Sequence, residues 1–121
     1  MDKKRVLIID DDPRNIFALT ATLKAKSYDC VSCTDVAEGL EILQKDDNID
    51  IILLDMMLPD IDGYEAIPLI RKIELAKNIP IYAVTAQAMV GDREKCLEAG
   101  ADGYISKPID VDKLMEILSA L

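Results

Sequence analysis

Four apolar runs in this chain end in residues able to do chemistry. The run Arg5-Val-Leu-Ile-Ile9 leads into Asp10, Asp11 and Asp12, and the run Ile49 to Leu54 leads into Asp55. A third, Ile79 to Val84, leads into Thr85 and Ala86, and a fourth, Gly103 to Ser106, leads into Lys107 and Pro108. If these runs are parallel strands of one open sheet, their carboxyl ends share an edge, which is where such sheets bind ligands. Acids, a hydroxyl and an amine would then converge on one site.

The physics of that cluster narrows its chemistry. Two carboxylates ~4 Å apart repel by roughly 4 kcal/mol at an effective dielectric near 20. They therefore require a cation, or some of them must protonate. Oxygen donors with no histidine or thiolate among them favour a hard cation, Mg²⁺ over Zn²⁺. On this reading Asp10 and Asp11 hold the metal. Asp55, on a central strand between the acid cluster and Thr85, is the nucleophile that would take a phosphoryl group as an aspartyl phosphate. Lys107 offers a positive charge to the phosphoryl oxygens and Thr85 a hydroxyl donor, while Ala86 leaves room and a backbone N–H.

Taken singly, most of these residues have plainer roles. Asp12 before Pro13 reads as a helix cap. Asp60 and Asp62, in a Pro-Asp and Asp-Gly turn, are expected to serve only that turn. An isolated Thr85 would be a strand-end hydroxyl and an isolated Lys107 a solvated lysine. The convergence of several strand ends assigns them to a site. Asp10, Asp11 and Asp55 stand apart, because three acids ending two apolar strands have no structural purpose.

Composition sets the limits. With 121 residues, half of them hydrophobic and 31% charged, the chain suits one globular domain, read here as residues 1–121. The net charge of −9 disfavours nucleic acid as a partner. The absence of histidine excludes imidazole catalysis and histidine-ligated metals. No apolar run approaches the ~20 residues that span a bilayer. The apolar stretch after the basic lead-in is too short for a signal-peptide core and runs into acids. A cytoplasmic location without membrane contact is expected. The chain stops at its last helical pattern, so no effector domain is expected within it. Cys30 and Cys33 form a C-x-x-C, but on a strand residues three apart point to opposite faces. Reduced thiols are expected there and at Cys96.

The elements that must position the site alternate. The weaker run Tyr28 to Cys33 completes five strands and suits an edge. Between the strands, Ile16, Leu19 and Leu23, then Val36, Leu40 and Leu43, then Val111, Leu114 and Leu118 recur at helical spacing. Asp35 with Glu38 resembles a capping box, Asp110 can cap the last helix, and Gly100 can end a helix beginning near Val90. Pro68, inside GYEAIPLIRKIE, is expected to kink or delay its helix. Alternating strands and helices imply a parallel α/β sheet wrapped by five helices.

The ordered set VLIIDDDP, LLDMMLPDIDG, AVTA and GADGYISKPI resembles the CheY-like receiver domain of two-component response regulators, over essentially the whole chain. The resemblance implies a doubly wound, flavodoxin-like five-stranded sheet in the order 2-1-3-4-5. It implies that Asp55 accepts phosphate from a histidine on a kinase or phosphotransfer protein. Asp11, Asp55 and the backbone carbonyl of Met57 match the family's metal ligands, with Asp10 helping through water, and Thr85 and Lys107 match its phosphate-binding pair. Tyr104 matches the aromatic switch residue, and Lys107–Pro108 a bond often cis in the family. Phosphate would draw Thr85 inward and let Tyr104 follow, remodelling the surface of the fourth helix, fifth strand and fifth helix. Pro13, Arg14 and Asn15 would dock the kinase. Met57 and Gln87 occupy variable positions flanking the phosphoryl group. Within the family the chain looks most like receivers of hybrid histidine kinases or free-standing phosphorelay receivers. It would be no enzyme beyond catalysing its own phosphorylation and dephosphorylation.

Rival functions fail on particular residues. A haloacid-dehalogenase-type phosphatase needs a general acid two residues after its nucleophile, where this chain has Met57. A flavin carrier needs a phosphate loop rich in Ser, Thr and Gly after the first strand, where this chain has acids. The remaining alternative is a degenerate receiver acting only as a phosphorylation-independent binding module. Its mark would be a lost acid, Thr or Lys, and none is lost.

Overall fold

The computed structural model describes residues 3–86 and 91–121. The strands are β1 (Arg5–Ile9), β2 (Asp29–Cys33), β3 (Ile51–Asp55), β4 (Ile81–Thr85) and β5 (Gly103–Ser106). They alternate with α1 (Pro13–Ala25), α2 (Val36–Lys45), α3 (Gly63–Arg71), α4 (Asp92–Ala99) and α5 (Val111–Ser119). Neighbouring strands pair in parallel in the order 2-1-3-4-5. The near-continuous apolar runs do become central strands: Val6–Ile9 of β1 and Ile51–Leu54 of β3 are at most 1% exposed. The more polar β2 takes an edge.

Strand alternation divides the core in two. Leu7, Ile9, Ile52 and Leu54 pack with Val36 and Leu43 of α2, with Ala66, Ile67 and Ile70 of α3, and with Cys96 of α4. Val6, Ile8, Ile51 and Leu53 pack with Leu19 and Leu23 of α1 and with Leu114 and Leu118 of α5. Each fully buried Leu or Ile contributes about 1.5–3 kcal/mol, so the carboxyl edge of the sheet stands on a rigid, two-sided base. Cys30 and Cys33 fall into opposite cores, and all three cysteines are free thiols.

The helix starts follow their caps. Asp12 accepts a hydrogen bond from Arg14 N at 3.0 Å, Asp35 from Glu38 N at 2.8 Å, and Asp110 from Asp112 N at 2.9 Å. Val111, expected on the apolar stripe of α5, is 40% exposed at its first position.

Two expectations need correction. Of the kink or delayed start expected at Pro68, the delay is absent: α3 begins at Gly63 and continues through Pro68 to Arg71. Asp62 secures the first turn ahead of the proline, accepting from Tyr64 N at 2.7 Å and Glu65 N at 3.2 Å. Nor do the turn acids serve only their turn: Asp62 caps α3, and Asp60 reaches another helix. The Asp60 carboxylate accepts from Val36 N at 3.1 Å and Ala37 N at 3.4 Å, at the start of α2. A carboxylate there satisfies N–H groups that have no partner within the helix and complements the helix dipole.

Glycine is required at the start of α3, where a Cβ on Gly63 would lie 2.8 Å from Met56 Cα. The expected start of the fourth helix near Val90 lies outside the described residues, as does Gln87. Its end is at Gly100, with φ +114°, a conformation glycine adopts without strain.

Candidate functional site

The carboxyl ends of β1, β3 and β4 deliver the buried polar side chains among the described residues. Asp10 is 3% exposed, Asp55 5% and Thr85 7%. Asp10, Asp11 and Asp55 each bring a carboxylate oxygen within 4.8 Å of the others, with Asp11 exposed to solvent. The loop after β5 supplies the cation. Lys107 Nζ lies 3.2 Å from Asp55 Oδ2 and 3.5 Å from Asp10 Oδ2. Its own backbone N–H donates to Thr85 O at 2.8 Å, and its peptide bond to Pro108 is cis.

The two buried acids are held in the same way. Asp10 Oδ1 accepts from Asp12 N at 2.9 Å, and Asp55 Oδ1 accepts from Met57 N at 3.0 Å, each from a backbone N–H two residues on. Each then turns Oδ2 toward Lys107. Asp10 has one more partner: Asn15 Nδ2 donates to its Oδ2 at 2.5 Å. Sequence reasoning placed Asn15 on a docking surface and missed this bond. The signal was an amide on the first turn of α1, directly after the acids.

Burial pushes the Asp55 carboxyl above its ordinary range. The Met57 N–H and the Lys107 ammonium pull it back and the Asp10 charge adds to the rise, leaving it raised. Burial alone would lower the Lys107 ammonium, but the Asp55 and Asp10 charges outweigh it and hold it above its ordinary value. One ammonium thus pairs with two buried carboxylates, and a third carboxylate, Asp11, adjoins them. An all-oxygen donor set with this excess negative charge fits a hard divalent cation.

The other anticipated residues surround this centre. Met57 is exposed and its segment bridges to Asp62. Ala86 lines a groove with Asn15, Leu19, Lys107 and Pro108, beside exposed Pro13 and Arg14. Tyr104 pairs in register with Ala83, two residues before Thr85, so Tyr104 and Thr85 share one sheet face. The Tyr104 ring is half-buried against the core that includes Cys96. Burial and the Asp92 charge push its hydroxyl above the ordinary value.

Residues 6–119 match the model of the response regulator receiver domain, and the chain belongs to that family. It is 36% identical to the sensor histidine kinase RcsC of Salmonella typhi over 98% of its own length, a match that spans 12% of the kinase. It is 33% identical to the polar-differentiation response regulator DivK of Brucella ovis, covering 97% of this chain and 94% of DivK. Among solved structures, the receiver domain of the sensor histidine kinase PA1611 from Pseudomonas aeruginosa PAO1 superposes with a TM-score of 0.88 at 34% identity, over 98% of this chain and 97% of that one. That structure has a magnesium ion coordinated in its active-site cleft. The protein is therefore a two-component receiver domain. Among the described residues no helix is long and apolar enough to cross a membrane.

Proposed function

We propose that the chain is a single receiver domain over residues 1–121 whose phosphoacceptor is Asp55. One Asp55 carboxylate oxygen attacks the phosphorus of a phosphohistidine. The O–P bond forms as the N–P bond breaks, and the imidazole nitrogen leaves with the bonding pair. The observation that carries this reading is the pairing of two buried carboxylates, Asp10 and Asp55, with a single lysine.

Asp11, Asp55 and the Met57 carbonyl would hold Mg²⁺, with Asp10 acting through water. The support is the all-oxygen cluster in this chain and the magnesium in the PA1611 receiver. When bound, the ion supplies positive charge that offsets the carboxylates and the incoming phosphoryl oxygens. Lys107 and the Thr85 hydroxyl receive the phosphoryl oxygens, and Ala86 leaves them space. Hydrolysis reverses the loading: water attacks phosphorus, the Asp55 O–P bond breaks, and the carboxylate returns with inorganic phosphate released. The domain catalyses these two steps on itself and no others.

Thr85 and Tyr104 form the switch, since they share one sheet face. Contact between Thr85 and the phosphoryl group would favour the arrangement in which Tyr104 moves inward and α4, β5 and α5 present a different surface. The donor is a histidine kinase or a histidine phosphotransfer protein, docking on α1 near Pro13 and Arg14. A downstream protein would read the switched face. Neither nucleic acid nor a membrane is a partner, and the setting is cytoplasmic. The acidic net charge of −9 disfavours nucleic acid and anionic membrane surfaces as partners.

The test is intact mass after incubation with acetyl phosphate, with and without Mg²⁺, for the wild type and Asp55→Asn. One Mg²⁺-dependent phosphoryl adduct, absent from the variant, is expected. No adduct on folded wild type would leave a phosphorylation-independent binding module. An adduct that persists in Asp55→Asn would put the acceptor on another aspartate.

A further inference from the structure

The deepest-set acid of the site is held from α1. Asp10, 3% exposed, has three neighbours for its two oxygens: Asp12 N on Oδ1, and Asn15 Nδ2 with Lys107 Nζ on Oδ2. The Lys107 contact, at 3.5 Å, is longer than its 3.2 Å contact to Asp55. The Asn15 amide is thus the closest donor to Asp10 Oδ2. Asn15 sits in the first turn of α1, which is anchored by the Asp12 cap and by burial of Leu19 and Leu23. Its side chain is half-buried, and one edge faces the groove beside Lys107 and Pro108.

We infer that Asn15 is a positioning residue for the metal site, setting the direction of the Asp10 carboxylate. A neutral amide donor suits this task better than a second cation. It fixes the carboxylate rotamer through a charge-assisted bond without lowering the negative charge available to Mg²⁺. Lysine or arginine at this place would compete with the ion, and an acid would repel Asp10. The same residue lies beside the exposed docking positions Pro13 and Arg14, so kinase contact and metal-site geometry meet in one side chain. This inference rests on the proposed assignment of Asp10, Asp11 and Asp55 to Mg²⁺.

The experiment compares wild type, Asn15→Ala and Asn15→Gln. It reads the Mg²⁺ dissociation constant by calorimetry, the acetyl phosphate loading rate at limiting and saturating Mg²⁺, and thermal unfolding without metal as a check on folding. Loss of a hydrogen-bond partner of a direct metal ligand weakens affinity by about 10–100-fold; Asp10 acts through water, so Asn15 stands one contact further out and about a 3- to 10-fold loss is expected. Asn15→Ala is expected to bind Mg²⁺ that much more weakly, load slowly at limiting Mg²⁺ and recover at saturation, with Asn15→Gln partly restored. Unchanged Mg²⁺ affinity in Asn15→Ala would overturn the positioning role, as would a rate deficit that saturation does not relieve. Wild type that bound no Mg²⁺ at all would overturn the proposed function as well, which separates the two failures.

Discussion

Lys107 Nζ stands 3.2 Å from Asp55 Oδ2 although 52 residues separate the two in sequence. A parallel sheet makes that contact possible, because β3 and the loop after β5 end on the same edge. The ammonium is the only positive group paired with Asp55 or Asp10 in the ion pairs among the described residues. Lys107→Ala is therefore expected to retain Mg²⁺ binding, and to tighten it, since a competing cation is gone from the carboxylates. The phosphorylated variant should fail to transmit. Hydrogen exchange across α4, β5 and α5 should change on loading in the wild type and stay unchanged in the variant. Weakened Mg²⁺ binding in Lys107→Ala would give the lysine a different role.

A second outcome follows from the excess of acid. Burial and the Asp10 charge oppose ionisation of Asp55, and Lys107 and the Met57 N–H only partly compensate. An amide at position 55 keeps the shape and removes the charge. Metal-free Asp55→Asn should be more stable than wild type at neutral pH, because the raised Asp55 carboxyl shows that its charge is disfavoured in the folded site. Urea unfolding of both chains with and without Mg²⁺ measures this. Adding Mg²⁺ should stabilise the wild type more and close the gap.

The legibility of this molecule in its sequence varied with the kind of interaction. Strands β1 and β3 were plain because both faces are buried, which leaves an uninterrupted apolar run. The acids were plain because they stand where such runs end. The caps Asp12, Asp35 and Asp110 were plain because a cap acts on N–H groups two or three residues away. Asp60 was misread because its partners, Val36 N and Ala37 N, lie 24 and 23 residues back. A Pro-Asp turn gives no sign of which neighbouring helix its carboxylate will reach. Asn15 is assigned to kinase docking by resemblance alone, whereas its bond to Asp10 depends on how α1 leaves β1. The order of the strands came from family resemblance, since alternation alone fits several parallel sheets.

Asp60 offers a direct measure of that long-range cap. It sits in the loop between β3 and α3, the loop that carries Met57, and ties that loop to the start of α2. Loss of an N-terminal cap costs about 1 kcal/mol. Asp60→Ala should lower the thermal midpoint by several degrees, while Asp60→Asn, which keeps an acceptor oxygen, should lose less. Equal losses in the two variants would mean that charge, and not the hydrogen bond, supplies the effect.

Arg71 fastens the opposite edge of the sheet. Its guanidinium donates to Gly100 O at 2.9 Å, to Ile79 O at 2.5 Å and to Asp102 Oδ2 at 2.7 Å. Asp102 Oδ2 also accepts from Ile81 N at 2.9 Å. The end of α3, the entry to β4 and the turn after α4 are therefore joined through one planar group. A lysine carries the charge but cannot serve these carbonyls together. Arg71→Lys should cost roughly 2 kcal/mol in urea unfolding, as expected when partly buried acceptors lose their donor. A loss as small as that of an exposed ion pair, ~0.5 kcal/mol, would show that water replaces the guanidinium.

The buried thiol of Cys33 sets a limit at alkaline pH. It is 3% exposed and donates to Asp35 O at 3.5 Å. Burial first, and then the Glu38 and Asp35 charges, push it from an ordinary value of 9.0 up to about 12. The folded state thus favours the neutral thiol more than the unfolded chain does. Its contribution to stability is fully present below the unfolded value and is lost as pH rises from there toward about 12. Cys30 and Cys96 are shifted upward as well, again with burial as the first cause. Urea midpoints should therefore fall between pH 8.5 and pH 10.5, and more steeply in the wild type than in Cys33→Ala. Iodoacetamide at pH 8.5 should modify half-buried Cys30 first, leaving Cys33 and Cys96 unreacted until the chain unfolds. Rapid modification of Cys33 in the folded protein would show that the edge beside β2 opens on the timescale of the reagent.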